Sequence, residues 1–253
     1  MKSAVAALAL AMAAASIPGA AAAPGPGIGL SASPLRLRLE GASAAAIGVR
    51  NPGRRTLIVD VSRAGFARSL RGKPRVRPAR GAATWLRLRP RRIRIAPGAK
   101  AMLHVRVAVP RRAEPGDHPA LVLLTTRPLS VRRVRVRVRV GVLVVLHVRG
   151  RVVRRLDTRA LTVRRVGARQ LLELRLVNRG NVTERLGGAA LRLVLFRHGR
   201  VLSRLRPRRR ELLPRSTGIA EFTYRGRVHG TVVARVELPT SVGGRRRSFR
   251  VRL

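Results

Sequence analysis

The 253-residue chain contains no cysteine. Disulfides and thiolate metal sites are therefore excluded, and any domain it forms is held by packing alone. Aromatic residues are almost as scarce, at 2%, with one Trp, one Tyr and four Phe. A stacking platform for single-stranded nucleic acid has little to be built from. Acids are few: ten Asp plus Glu face 56 Lys plus Arg, a formal charge of +46, and the only lysines are Lys2, Lys73 and Lys100. A body with this field attracts polyanions and loses that attraction as salt rises. So one-sided a use of arginine is also what GC-rich coding produces, whatever the ligand. Beyond the first residues, arginine interrupts every apolar run, which leaves no segment suited to a membrane-spanning helix.

Signals for catalysis are missing as well. His104, His118, His147, His198 and His229 are scattered, with no pair at the short spacing that puts two imidazoles on one metal. No Gly-x-Ser-x-Gly elbow occurs, and Gly72-Lys73 runs into Pro74 without an upstream glycine at phosphate-loop spacing. The carboxylates are isolated in sequence, and many sit beside arginine, as in Asp157-Thr158-Arg159. A neighbouring cation lowers a carboxylate's pKa, the wrong direction for a general acid. The expectation is a protein without catalysis, cofactor or metal. Trp85 is a candidate sugar platform, but a lone tryptophan heading an alternating strand more often fills a core.

What the sequence does contain begins with an export signal. Met1-Lys2-Ser3 is positive, Ala4 to Ile17 is apolar, and Pro18-Gly19 precedes the small residues Ala20 to Ala23. Residues 1–23 read as a cleaved signal peptide and 24–30, with Pro24-Gly25-Pro26-Gly27, as a flexible leader. The remaining length and the 45% apolar share suit two domains.

Period-two alternation marks the rest. Leu35, Leu37 and Leu39 alternate with arginines, followed by Ile47 with Val49, by Leu57, Val59 and Val61, and by Leu103, Val105, Val107 and Val109. Each such strand buries one face. Pro and Gly turns separate the strands and no crossover helices are available, so the sequence predicts an all-β protein of antiparallel sandwiches. Val49-Arg50-Asn51-Pro52-Gly53 returns as Leu176-Val177-Asn178-Arg179-Gly180, and the landmarks Pro97 and Gly116 return as Pro214 and Gly230. Shared order with loop-sized differences is the mark of duplication, giving a first immunoglobulin-like sandwich at 31–150 and a second at 151–253.

Between the copies, Val134, Val136, Val138 and Val140 alternate strictly with Arg135, Arg137 and Arg139. One straight strand from Val131 to Val148 would span roughly 60 Å, too long for a single element. Val142 to Val148 reads as a closing strand buried on both faces, and Gly141 as a bend or bulge. The Val/Arg ladder either extends the sheet edge or hangs as a loop. As an edge, it adds a partner's strand and presents arginine to an acidic surface, or its charges simply block aggregation.

The order Ser33-Pro34, Asn51-Pro52-Gly53, Trp85, Ile95-Ala96-Pro97-Gly98, Val109-Pro110, Glu114-Pro115-Gly116 and Gly141-Val142-Leu143-Val144-Val145-Leu146 resembles the WxL-interacting proteins of Gram-positive surfaces. The resemblance covers residues 31–150 and, more loosely, the second copy. It implies tandem immunoglobulin-like domains, the first binding peptidoglycan and the second a host or partner protein, but the family's C-terminal membrane helix has no counterpart here. The favoured reading is a non-catalytic, exported envelope or surface protein that binds anionic cell-wall material or peptidoglycan through its first domain and another surface protein through its second. The alternative is a pilus-assembly-type periplasmic chaperone adding a strand through the Val134 to Val140 edge. Nucleic acid ranks behind both, because aromatics are scarce and export removes the chain from it.

Overall fold

The computed structural model describes residues 29–131, 134–167, 169–187, 191–238 and 247–253. The expected signal peptide and most of the leader lie outside them. The chain forms two immunoglobulin-like β-sandwiches, as the alternation predicts.

In the first sandwich, β1 (Ser31–Ser33), β2 (Arg36–Glu40), β3 (Ala44–Arg50), β4 (Leu57–Arg68) and β5 (Pro74–Arg77) precede a one-turn helix, α1 (Ala82–Trp85). The strands β6 (Leu86–Arg89), β7 (Arg92–Ile95), β8 (Lys100–Val107), β9 (Gly116–Thr126), β10 (Leu129–Val131), β11 (Val134–Val136) and β12 (Arg139–Val148) follow. One sheet has the order β1-β3-β8-β6, and the other β2-β12-β9-β4-β5 with β7 on β4. The two inner faces meet in a core that includes Ile47, Val49, Leu57, Val105, Leu124 and Leu146. Each fully buried aliphatic side chain of this kind contributes about 1.5–3 kcal/mol.

The second sandwich contains β13 (Leu156–Val166), β14 (Arg169–Asn178), β15 (Glu184–Leu186), β16 (Arg192–Arg197), β17 (Arg200–Leu205), β18 (Arg210–Leu212), β19 (Thr217–Tyr224), β20 (Thr231–Glu237) and β21 (Arg247–Arg252). Sheet β13-β14-β19 packs on sheet β17-β16-β20-β21 around Leu172, Leu174, Leu176, Phe222 and Ala234, and β15 pairs with β18.

The repeated asparagine phrase is duplicated down to its atoms. The Asn51 side-chain amide donates to the carbonyls of Arg55, Ile95 and Ala96, at 2.8, 3.0 and 3.1 Å, while its oxygen accepts the Gly53 N–H at 3.0 Å. Asn178 repeats this with Val182, Leu212 and Leu213, at 2.8, 3.2 and 3.1 Å, and with Gly180 at 2.9 Å. Both side chains are fully buried. Each staples its turn to the segment just ahead of Pro97 or Pro214, so the asparagine does more than serve its own bend.

Two local expectations are corrected. Gly141 is neither bend nor bulge: it sits mid-strand in β12, in regular register opposite Leu123. The interruption falls at residues 137 and 138, where the Thr126 hydroxyl accepts the Val138 N–H at 3.0 Å and the Thr126 N–H donates to the Val138 carbonyl at 2.9 Å. A side chain takes over one rung of the ladder, and β11 separates from β12. Trp85 does not begin a strand. It ends α1, whose single turn starts at Gly81, a residue with φ of 56° that accepts a hydrogen bond from the Thr84 hydroxyl.

Candidate functional site

The Val/Arg ladder lies on the arm of one long hairpin. β9 and β12 pair from Gly116 opposite Val148 up to Thr125 opposite Arg139, and the arm then narrows into β10 and β11. On its other side β12 pairs in parallel with β2, but only over Leu143 to His147. Among the described residues, β11 pairs with β10 alone and Arg139 to Val142 with β9 alone. Among the described residues, one side of the hairpin arm is therefore unpaired over Val134–Val136 of β11 and Arg139–Val142 of β12.

Side chains along this edge keep the alternation of the sequence. Val134, Arg135, Arg137 and Arg139 are exposed, whereas Val136, Val138 and Val140 are half-buried. Val134 is 63% exposed, high for a valine on a sheet. The base of the arm is fixed by polar contacts: Arg55 donates to the Ser130 carbonyl, the Arg127 N–H to the Ile58 carbonyl, and Arg92 pairs with Asp60 at 2.7 Å. These contacts tie the base of the arm to β4 and to the segment ahead of β4, and β4 in turn to β7. Trp85 lies apart from it, half-buried against the first core, its ring 5.0 Å from that of His118 and tilted by 55°.

A second charged feature, with no counterpart in the sequence reading, is the joint between the sandwiches. Glu173 and Glu221 alternate with core residues of β14 and β19, and the register sets them directly opposite one another on the outer face. Like charges so placed repel. Arg71, from the β4–β5 turn, reaches both, at 2.9 and 3.5 Å. Beside it, Glu211 receives Arg36 at 2.6 Å and Arg68 at 3.6 Å, and the Ile219 N–H donates to the Leu70 carbonyl. Between these groups opens a cleft of about 680 Å³ lined by Arg68, Arg71, Arg185, Arg209, Arg210 and Glu211.

Asp117 anchors the other side of the joint. Its buried carboxylate accepts the Thr183 N–H and a hydrogen bond from His147 Nδ1, each at 2.8 Å, with Arg38 at 3.5 Å. Burial alone raises its pKa, yet the hydrogen bonds from Thr183 and His147 and the charge of Arg38 outweigh it and hold the group below the usual aspartate range. The next acid along, Glu184, shows the reverse. Burial pushes it up, Asp117 adds to the effect, and Arg154 at 3.8 Å offsets only part. Backbone geometry closes this side: the Asp117 N–H donates to the Asn181 carbonyl at 2.8 Å, and Gly116 has φ of 118° with no room for a Cβ against that same carbonyl. The Pro115-Gly116 landmark thus marks the joint.

Among the described residues, no group of three His, Asp or Glu side chains could hold a metal ion. The six acids Glu114, Asp117, Glu173, Glu184, Glu211 and Glu221 lie at the joint, where they take arginines or backbone N–H groups of the other sandwich or, for Glu184, stand beside one that does. These contacts tie the two sandwiches together at the joint. No helix among the described residues is long and apolar enough to cross a membrane.

No family model matches the chain, and no curated protein does. Solved structures to which the chain is similar include the CsuC–CsuE chaperone–tip adhesion subunit pre-assembly complex of Acinetobacter baumannii, 16% identical over 88% of this chain and 98% of that one, with TM-score 0.47. The E. coli chaperone DraB is 13% identical over 89% and 99%, at 0.45, and the class 5 fimbriae chaperone CfaA 10% over 88% and 98%, at 0.49. The resemblance to WxL-interacting proteins is corrected: no family model or curated protein supports it, and the solved structures matched are described as pilus and fimbrial chaperones. The reading of the first domain as a binder of anionic cell-wall material or peptidoglycan goes with it. The motifs behind that resemblance are turn and joint chemistry that any tandem sandwich can carry.

Proposed function

We propose that this chain is an exported periplasmic chaperone that binds a surface-assembled subunit by β-strand addition along Val134 to Val142. In this reading the first 23 residues direct export and the two sandwiches divide near residue 150. One observation carries the proposal: an edge formed by Val134–Val136 of β11 and Arg139–Val142 of β12, interrupted at residues 137 and 138, unpaired on one side among the described residues and mounted on a braced hairpin. Main-chain groups along such an edge supply affinity, and alternate side chains supply selectivity. Val136, Val138 and Val140 offer the apolar side of the alternation, and Arg135, Arg137 and Arg139 the charged side. A tip subunit, the partner named for the A. baumannii chaperone, is the kind of chain this edge would take.

The test is co-expression with surface subunits whose own sandwich lacks a strand. A subunit that co-purifies with the wild type and is lost with the Val136→Asp/Val138→Asp double variant supports the reading. Hydrogen exchange should then show new protection at Arg139 and Gly141 in the complex. Capture that survives the double variant, with no protection at the edge, refutes it.

A further inference from the structure

The second sandwich has one sheet facing the first sandwich and one facing away. The two differ sharply in charge. The near face, on β14 and β19, carries Glu173 and Glu221. On the far sheet the register lays out two adjacent rows. In the first, Val194 lies opposite Arg204 on one side and Arg235 on the other. In the second, Phe196 lies opposite Val201 and Val233, and Val233 in turn opposite Arg250. Arg252, opposite Thr231, follows at the end of the same face.

Val201 and Val233 are 43% and 37% exposed, so the apolar row is open to solvent. Arg235 rests its guanidinium 4.7 Å from the Phe196 ring centroid, leaving its charge at the rim of the apolar strip. None of Arg204, Arg235, Arg250 and Arg252 forms an ion pair among the described residues. Every acid of the chain falls within the described residues, and only Glu237 belongs to this sheet, at its far end.

We propose that this outer face of β17-β16-β20-β21 is a docking surface for an anionic phospholipid bilayer, a role separate from strand addition at the β11–β12 edge. Charge complementarity selects an anionic occupant, and the apolar row selects a bilayer over a soluble polyanion. A polymer of phosphates satisfies the arginines but leaves Val201, Phe196 and Val233 in water. A bilayer takes both, the guanidiniums at the phosphate level and the apolar row at the headgroup–acyl boundary. The opposite face cannot compete, because its acids and their arginine partners are occupied at the joint.

The experiment is co-sedimentation of the full secreted chain with phosphatidylglycerol/phosphatidylethanolamine vesicles and with phosphatidylcholine vesicles. The wild type pellets with the first and not the second. Arg235→Glu/Arg250→Glu weakens this binding by about tenfold or more, and Val201→Ser/Val233→Ser weakens it at unchanged net charge. Arg75→Glu/Arg77→Glu, the same charge change on exposed β5 of the first sandwich, leaves binding close to wild type. Each variant is compared at matched thermal stability, and Arg204→Glu/Arg252→Glu stands in should the first charge pair fail to fold. Three results overturn the proposal: equal pelleting with phosphatidylcholine or none with either vesicle, as large a loss in the β5 pair, or no loss in the serine pair. The last two would reduce the effect to the chain's overall charge.

Discussion

A single buried asparagine in each sandwich carries four hydrogen bonds, and its removal is the sharpest test at the scale of the residue. Asn178→Ala strands the Leu212 and Leu213 carbonyls and the Gly180 N–H in an apolar interior. The expected loss is about 3 kcal/mol, read as a lowered midpoint for the second sandwich in denaturant. Asn51→Ala does the same to the first. This device was half legible in the sequence: the repeated phrase showed that the position mattered, but its partners lie 44 residues on, beyond any local pattern. Asp117 and Glu184 give the joint a dependence on pH with opposite signs. The folded pKa of Asp117 is lowered, so its contribution is present above the unfolded value and fades as pH falls through the lowered folded one. Glu184 is raised, so its contribution is full below the usual 4.5 and is lost as pH rises through the raised folded value. At neutral pH it stands as a poorly compensated buried carboxylate. Glu184→Gln should therefore melt above the wild type near neutrality, with the gap closing as the pH falls toward 4.5; a gap that stays constant across the titration would disprove the assignment.

Strands follow from period-two alternation, which is why the core strands were readable from sequence, while arginine-rich β5 and β17 and the ladder's fate were not. Alternation reports one buried face, but it cannot report whether a neighbouring strand runs long enough to cover an edge. Here β2 stops pairing at Leu143, and the capture of Val138 by Thr126 was invisible because a threonine in an apolar run gives no hint of a rung made through its hydroxyl. The same contacts fix which way each peptide points. Val138 turns its N–H and carbonyl toward β9, and the Leu143 N–H turns the other way to reach the Leu35 carbonyl. Arg139 and Gly141 therefore aim their N–H groups outward, along the open edge. Proline is tolerated on an edge strand where the N–H faces solvent. Arg139→Pro should leave the melting temperature within a few degrees of wild type, since no ladder bond is lost, yet abolish capture of a strand-lacking subunit. Retained capture would move the binding surface elsewhere.

At the scale of the whole molecule the scarce acids are gathered where the two sandwiches meet, in a chain carrying +46. Arg71 and Glu173 lie 102 residues apart in sequence, so no reading of neighbours along the chain could have joined them. Their geometry makes Arg71 the keystone. Glu173 and Glu221 sit opposite each other at 11% and 13% side-chain exposure; one guanidinium, that of Arg71, bridges them, while Arg164 at 3.6 Å and Arg210 at 3.8 Å each reach one. Arg71→Ala removes the shared countercharge of two facing, largely shielded carboxylates and should weaken the joint by about 1–2 kcal/mol after allowance for the exposure of Arg71 itself. Each sandwich keeps its own core, so calorimetry should resolve two transitions where the wild type shows one, and small-angle scattering should show a larger radius of gyration. High salt should move the wild type in the same direction, because the partly exposed pairs of the joint are screened. Adding Glu173→Gln and Glu221→Gln to Arg71→Ala removes the repulsion without restoring the bridge, and should recover part of the lost coupling. A triple variant no better coupled than Arg71→Ala would show that the bridge, and not the relief of facing charges, holds the sandwiches together.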